Sequence, residues 1–273
     1  MSESRHRDEL KSCRRIVVKI GSSSLMHQQT GRLNLGKMEK LARTLTDIKN
    51  SGRDVLLVSS GAIAVGRTTL GITQRPDSLE MKQACAAVGQ AKLMSVYQKL
   101  FAEYSTVAAQ VLLTRVNLGL PVTRDNARST LLELLSIHAI PIINENDSVS
   151  TDEIPEVQTF GDNDRLSASV AALIGADLLI LLTDIDGMFS TDPKLDRNAR
   201  LFDEIDVIDS KVLSMGGDHS GSSFGTGGMK SKLEAARIAT NSGASMVIAN
   251  GNDIDNIRRT LNGEHTGTLF PHR

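Results

Sequence analysis

The stretch Ile16-Val17-Val18-Lys19-Ile20-Gly21-Ser22-Ser23-Ser24 decides the fold class. Its apolar residues run on without alternation, the pattern of a strand buried on both faces, and Gly21 with the three serines closes it as a turn. Downstream, Met38, Leu41, Ala42, Leu45 and Ile48 recur at helical spacing, and Ser51-Gly52 supplies the stop. A second apolar strand over 55–58 ends at Ser59-Ser60-Gly61. The same rhythm predicts helix through 79–104, strand over 107–113, helix over 123–136 and strand over 140–143. It continues with helix over 162–174, strand over 177–182, helix over 229–242 and strand over 245–249. Apolar strands separated by helices predict an α/β fold on a mostly parallel sheet covered on both faces. Ligands of such sheets bind beyond the carboxyl ends of the strands, so the residues just after each strand are the candidates for chemistry.

Composition narrows the partners. The 273 residues suit one large domain or two lobes. Net charge is −1, from 31 Lys and Arg against 32 Asp and Glu, which argues against a nucleic-acid polyanion. Aromatic residues make up 3% of the chain and Trp is absent, leaving few platforms for stacking bases. Cys13 and Cys85 cannot build a disulfide framework. Residues 1–15 carry no apolar signal-peptide core, and apolar runs such as 176–182 are too short for a bilayer. A cytoplasmic protein with neither nucleic acid nor membrane as partner is expected.

The strand ends carry the motifs. Gly225-Thr226-Gly227-Gly228-Met229-Lys230-Ser231-Lys232 places glycines ahead of a helix start, where backbone N–H groups and the helix dipole receive an anion. Its spacing is that of neither a Walker A loop nor a dinucleotide fingerprint. Lys19 sits in a run that should be buried, which is costly unless its ammonium reaches the strand end and meets a partner. It reads either as an edge lysine with its head in water or as a cation aimed at a phosphoryl group. Asn144-Glu145-Asn146-Asp147 and Gly161-Asp162-Asn163-Asp164 concentrate carboxylates and amides. They suit magnesium or the ammonium and carboxylate of an amino acid, and Asp162 also reads as a simple helix cap. Thr183-Asp184, then Asp186-Gly187 and Asp192-Pro193, mark a strand end and two turns. Residues 148–160, with Ile154-Pro155, read as a hairpin or flap, and 216–228, with six glycines, as a mobile loop. The six His show no metal-ligand spacing, and Ser59-Ser60-Gly61 lacks the surroundings of a hydrolase nucleophile.

Taken in order, these blocks resemble the amino-acid kinase family, and within it the members that phosphorylate the side-chain carboxylate of glutamate. The resemblance runs from about Arg15 to Phe270. It rests most on the Asn-Glu-Asn-Asp, Gly-Asp-Asn-Asp and Gly-Thr-Gly-Gly-Met blocks. It implies a three-layer αβα sandwich with a central, mostly parallel sheet. An amino-acid lobe would span about 1–175 and a nucleotide lobe about 176–273, ending at Arg273 without a PUA domain.

By the same resemblance Lys19 and Lys232 stabilise the transferring phosphoryl group and Asp164 orients them. Ser60, Gly61, Asn144, Asp147, Asp162 and Asn163 bind L-glutamate. Lys19, Gly21, Ser22, Thr183, Asp184 and the loop Thr226, Gly227, Gly228, Met229, Lys230, Ser231 and Lys232 surround ATP. Magnesium is expected through the ATP phosphates. Ser22 stands where the family carries Thr and keeps the hydroxyl. Proline as feedback inhibitor, a glutamyl phosphate reductase and further copies of the chain are the partners implied. Competing expectations are another acceptor, such as aspartate, N-acetylglutamate, carbamate or UMP, or a non-catalytic sensor of glutamate or proline.

Overall fold

The computed structural model describes residues 5–74, 76–149, 163–191, 193, 196, 198–215 and 228–272. The elements are α1 (Arg5–Glu9), β1 (Arg15–Ile20), α2 (Ser22–Leu25), α3 (Leu35–Asn50), β2 (Asp54–Ser59) and α4 (Ala62–Thr69). There follow α5 (Leu79–Ala102), β3 (Ala108–Leu113), α6 (Arg115–Gly119), α7 (Pro121–Ser136), β4 (Ile140–Glu145), α8 (Asn163–Ile174) and β5 (Leu178–Thr183). The chain continues with α9 (Ser210–Met215), α10 (Met229–Asn241), β6 (Ser245–Asn250), α11 (Asn256–Leu261) and β7 (Thr268–Phe270).

The strands form one seven-stranded sheet in the order β3-β4-β2-β1-β5-β6-β7, parallel except for the last pair. Ile16, Val18 and Ile20 of β1 face α3 and α5 in one apolar core, while Val17 faces α7, α8 and α10 in another. Burial on both sides explains why the strands read as unbroken apolar runs. Lys19 shares the parity of Val17 and emerges on the α8 face, its ladder partners being Val58 and Leu181. The chain reaches β2 from β1 by way of α3, but crosses from β4 to β5 by way of α8 on the opposite face. That reversal beside β1 opens a crevice at its carboxyl end.

Two further features set the frame. Gly66 of α4 and Gly89 of α5 bring the two helix backbones into contact. A Cβ on Gly89 would lie 1.8 Å from the Ala62 carbonyl oxygen, and one on Gly66 1.8 Å from that of Cys85. Gly89→Ala should therefore cost about 1–3 kcal/mol of stability or more, because two backbones rather than a side-chain tip must move. Urea unfolding of the variant beside the parent measures it. At the chain's start, Arg7 is 1% exposed. Its Nη1 donates to the carbonyls of Glu264 and Thr266, and its Nη2 to those of Asp203 and Gly267 and to Asp203 Oδ1. Among the described residues no helix is long and apolar enough to cross a membrane.

Candidate active site

The carboxyl ends of β1, β2, β4 and β5 converge with the amino ends of α8 and α10. Lys19 is 6% exposed, Asp164 1% and Lys232 6%. Lys19 Nζ lies 2.5 Å from Asp164 Oδ1, and Lys232 Nζ donates to Asp164 Oδ2 at 3.0 Å. One carboxylate thus holds two ammoniums, one from the second-last residue of the first strand, the other from the first turn of α10. Burial alone would push the Asp164 carboxyl up, but the charges of Lys19 and Lys232 win and hold it well below the usual carboxylate range. The sequence left Lys19 open between an edge lysine with its head in water and a cation aimed at a phosphoryl group; the structure buries its head against Asp164, which removes the first reading.

Backbone geometry lets these groups approach. The Gly21 N–H continues the ladder to the Leu182 carbonyl, and the Ser60 N–H donates to that of Ile20. A Cβ on Gly21 would stand 3.7 Å from Lys19 Nζ, so the ammonium lies over the first residue after the strand. Gly61 opens α4 at φ +104°, a turn that a side chain would strain. Gly228 caps α10 without a side-chain hydrogen bond. Ser231 Oγ donates to the Gly228 carbonyl (2.9 Å) and reaches Asp164 Oδ2 at 3.5 Å. The amino end of α10 and the nearby ammoniums of Lys19 and Lys232 make this end of the crevice suited to anions.

A second cluster adjoins it. Asn163 Nδ2 donates to Ser60 Oγ at 2.8 Å, to Asn144 Oδ1 at 2.9 Å and to the Ser59 carbonyl at 3.4 Å. Asn144 Nδ2 donates in turn to Gln90 Oε1 at 2.9 Å. Gln90, Asp147, Glu145, Asn146 and Ala62 line a cleft of about 290 Å³. Asn163 Oδ1 is buried and has no hydrogen-bond partner among the described residues.

The structure brings Lys19, Gly21, Ser60, Asn144, Asn163, Asp164, Ser231 and Lys232 together. Thr183 ends β5 and donates to Asp184, with Gly251 N–H on its carbonyl. Ser22 opens α2. Met229 packs against the α8-side core, and Lys230 is exposed on α10. Asp162, Asp192, Thr226 and Gly227 lie outside the described residues, as do the expected flap from 150 onward and the glycine-rich loop up to 227. Gln90 was not foreseen. A glutamine within a long helix carries no local signal, and only its partner across the cleft gives it meaning.

The family model described as the amino acid kinase family matches residues 14–250. The chain belongs to the amino acid kinase family. Among curated relatives of this amino acid kinase, a glutamate 5-kinase from Carboxydothermus hydrogenoformans is 50% identical over 97% of this chain and 69% of that protein. The glutamate 5-kinase of Listeria innocua is 47% identical over 97% of this chain and 95% of its own length. The fold is shared more widely. A UMP kinase structure from Bacillus anthracis superposes with a TM-score of 0.64 at 16% identity, covering 95% of this chain and 96% of that one. An isopentenyl phosphate kinase structure from T. acidophilum does so at 0.63 and 16%, covering 94% and 99%. Both show the amino acid kinase fold, the three-layer sandwich expected from the sequence.

Proposed function

We infer that this amino acid kinase is a glutamate 5-kinase. It moves the γ-phosphoryl of ATP onto the side-chain carboxylate of L-glutamate, giving L-glutamyl 5-phosphate, the first step of proline biosynthesis. The observation that carries the reading is the pair of buried ammoniums on Asp164. Joining two anions demands positive charge at the point of transfer, held rigid so that none is lost to rearrangement. Asp164 does that holding without itself touching the reacting atoms. The acceptor carboxylate is already ionised at neutral pH, so no base is needed, in keeping with a site built from lysines and amides.

Division of labour follows from position. The Lys19, Gly21 and α10 end receives the phosphates, with Thr183 and Asp184 beside it on the nucleotide lobe, about 176–273. Ser60, Asn144, Asn163 and the Asp147 cleft receive the amino acid on the lobe of about 1–175. Both oxygens of Asp164 face lysines, so this carboxylate is not a spare metal ligand. Magnesium fits best as the partner of the ATP phosphates, where its chemistry is to offset their charge. This chain's residues supply the remaining charge and hold the acceptor in place.

The test is ADP release that depends on L-glutamate, with hydroxylamine present to trap the acyl phosphate. A panel of aspartate, N-acetylglutamate, carbamate and UMP separates the other acceptors. Glutamate binding without ADP release would mean a sensor. Asp147→Ala should raise the apparent KM for glutamate about ten- to a hundredfold, the loss expected for a hydrogen bond to a charged group. The KM for ATP should stay within about twofold. Steady-state kinetics with each substrate varied in turn reads both.

A further inference from the structure

We propose that Gln90 is a positioning residue for substrate selection, acting through Asn144 to fix which face Asn163 turns to the ligand. The inference rests on the glutamate reading above and deepens it. Three amides form a directed chain: Asn163 Nδ2 donates to Asn144 Oδ1, and Asn144 Nδ2 donates to Gln90 Oε1. Each amide has a donor end and an acceptor end, so the three must turn together. In the orientation observed, Asn163 Oδ1 is left over as a buried acceptor without a partner among the described residues. An L-glutamate ion carries two carboxylates, which only accept, and one ammonium, its only donor. The leftover acceptor therefore selects the α-ammonium.

The other neighbours of Asn163 cannot make this choice alone. The Ser60 hydroxyl can donate as well as accept, so it suits either orientation. The Ser59 carbonyl can only accept, but it stands at 3.4 Å, a long contact. It breaks the tie between two orientations that the Gln90 chain makes all-or-none. Asn144 is 2% exposed and Gln90 8%, so water is a poor substitute for either. If residue 90 offers no acceptor, the observed orientation leaves a buried N–H of Asn144 unpaired. When the ligand offers an acceptor to Asn163, turning Asn144 and Asn163 over leaves a carbonyl oxygen of Asn144 unpaired and sets Asn163 Oδ1 against the Ser59 carbonyl at a long 3.4 Å, a milder loss than a stranded buried N–H. Asn163 then presents its N–H to the ligand.

The experiment compares the parent enzyme with Gln90→Met, close in volume but with no amide, and Gln90→Glu, which keeps an acceptor. The readouts are KM for glutamate, KM for ATP and the inhibition constant of 2-oxoglutarate, which has an accepting keto oxygen in place of the ammonium. In Gln90→Met the KM for glutamate should rise about tenfold, that for ATP should hold, and the ratio of the 2-oxoglutarate constant to the glutamate KM should fall at least tenfold. In Gln90→Glu the added charge raises both acidic ligands' constants, but their ratio should stay near the parent's. A general disturbance of α5 would move ATP and glutamate together and leave the ratio unchanged in Gln90→Met; that result overturns the proposal. A thermal midpoint for each variant confirms that a folded protein is being read. Parent enzyme that releases no ADP with L-glutamate overturns the functional reading and the selection role with it.

Discussion

Lys19→Ala and Lys232→Ala should each lower turnover by roughly 10²–10³-fold, the loss typical of removing one preorganised electrostatic donor. The two ammoniums reach Asp164 from elements far apart in the chain, β1 and α10, and both are almost fully buried. Charge held so far from bulk water acts more strongly than it would at a surface, and it needs no rearrangement during the reaction. Because both lysines are assigned to the transfer as well as to the phosphates of ATP, the loss should fall chiefly on kcat at saturating glutamate and ATP, with any rise in KM confined to ATP. Lysine-to-arginine changes are no gentle control, since a planar guanidinium cannot occupy the place of a compact ammonium. Near-parental kcat in both alanine variants would remove the role.

Asp164→Ala should cost about 3–5 kcal/mol of folding stability, the usual penalty for stripping a buried ion of its partner. For a chain of this size that lowers the melting temperature by on the order of 10 °C. The penalty arises from two stranded cations, not from a lost favourable bond. Replacing all three residues by apolar ones of similar volume (Lys19→Met, Asp164→Leu and Lys232→Met) should accordingly restore much of the stability while abolishing turnover. Continued instability of that triple variant would mean that the group packs in a way apolar residues cannot copy. The acid response has a definite sign. The Asp164 pKa is depressed on folding, so its contribution is full above the unfolded value of about 4 and drains away as pH falls below it. Denaturant midpoints followed from pH 7 to pH 3 should drop less steeply in Asp164→Ala than in the parent.

The buried strands were the most legible part of the molecule, because burial on both faces leaves an apolar run that needs no partner to recognise. Strand β7 was not legible: Thr268–Phe270 is three residues long and is a strand only because β6 lies beside it. The α4–α5 contact was equally hidden, since Gly66 and Gly89 look like weak helix residues until the helices cross. Within the site, the strand-end blocks around Lys19, Ser60, Asn144 and Asp164 stood out as polar groups where polar groups are costly. What the sequence could not show is that Lys19 and Lys232, 213 positions apart by number, share one carboxylate. Nor could it show that Gln90 belongs with Asn144, for that pairing is made by the sheet and not by spacing.

The buried guanidinium of Arg7 has a consequence for synthesis. Its acceptors lie 196 to 260 residues further along the chain. At roughly 5–20 residues per second, α1 emerges from the ribosome tens of seconds before the Gly267 carbonyl exists. Until Asp203 is made the guanidinium has none of these acceptors, and the set is complete only once Gly267 is in place. Closure of the first helix around Arg7 is therefore a late event in synthesis, a latch thrown after six of the seven strands have been delivered.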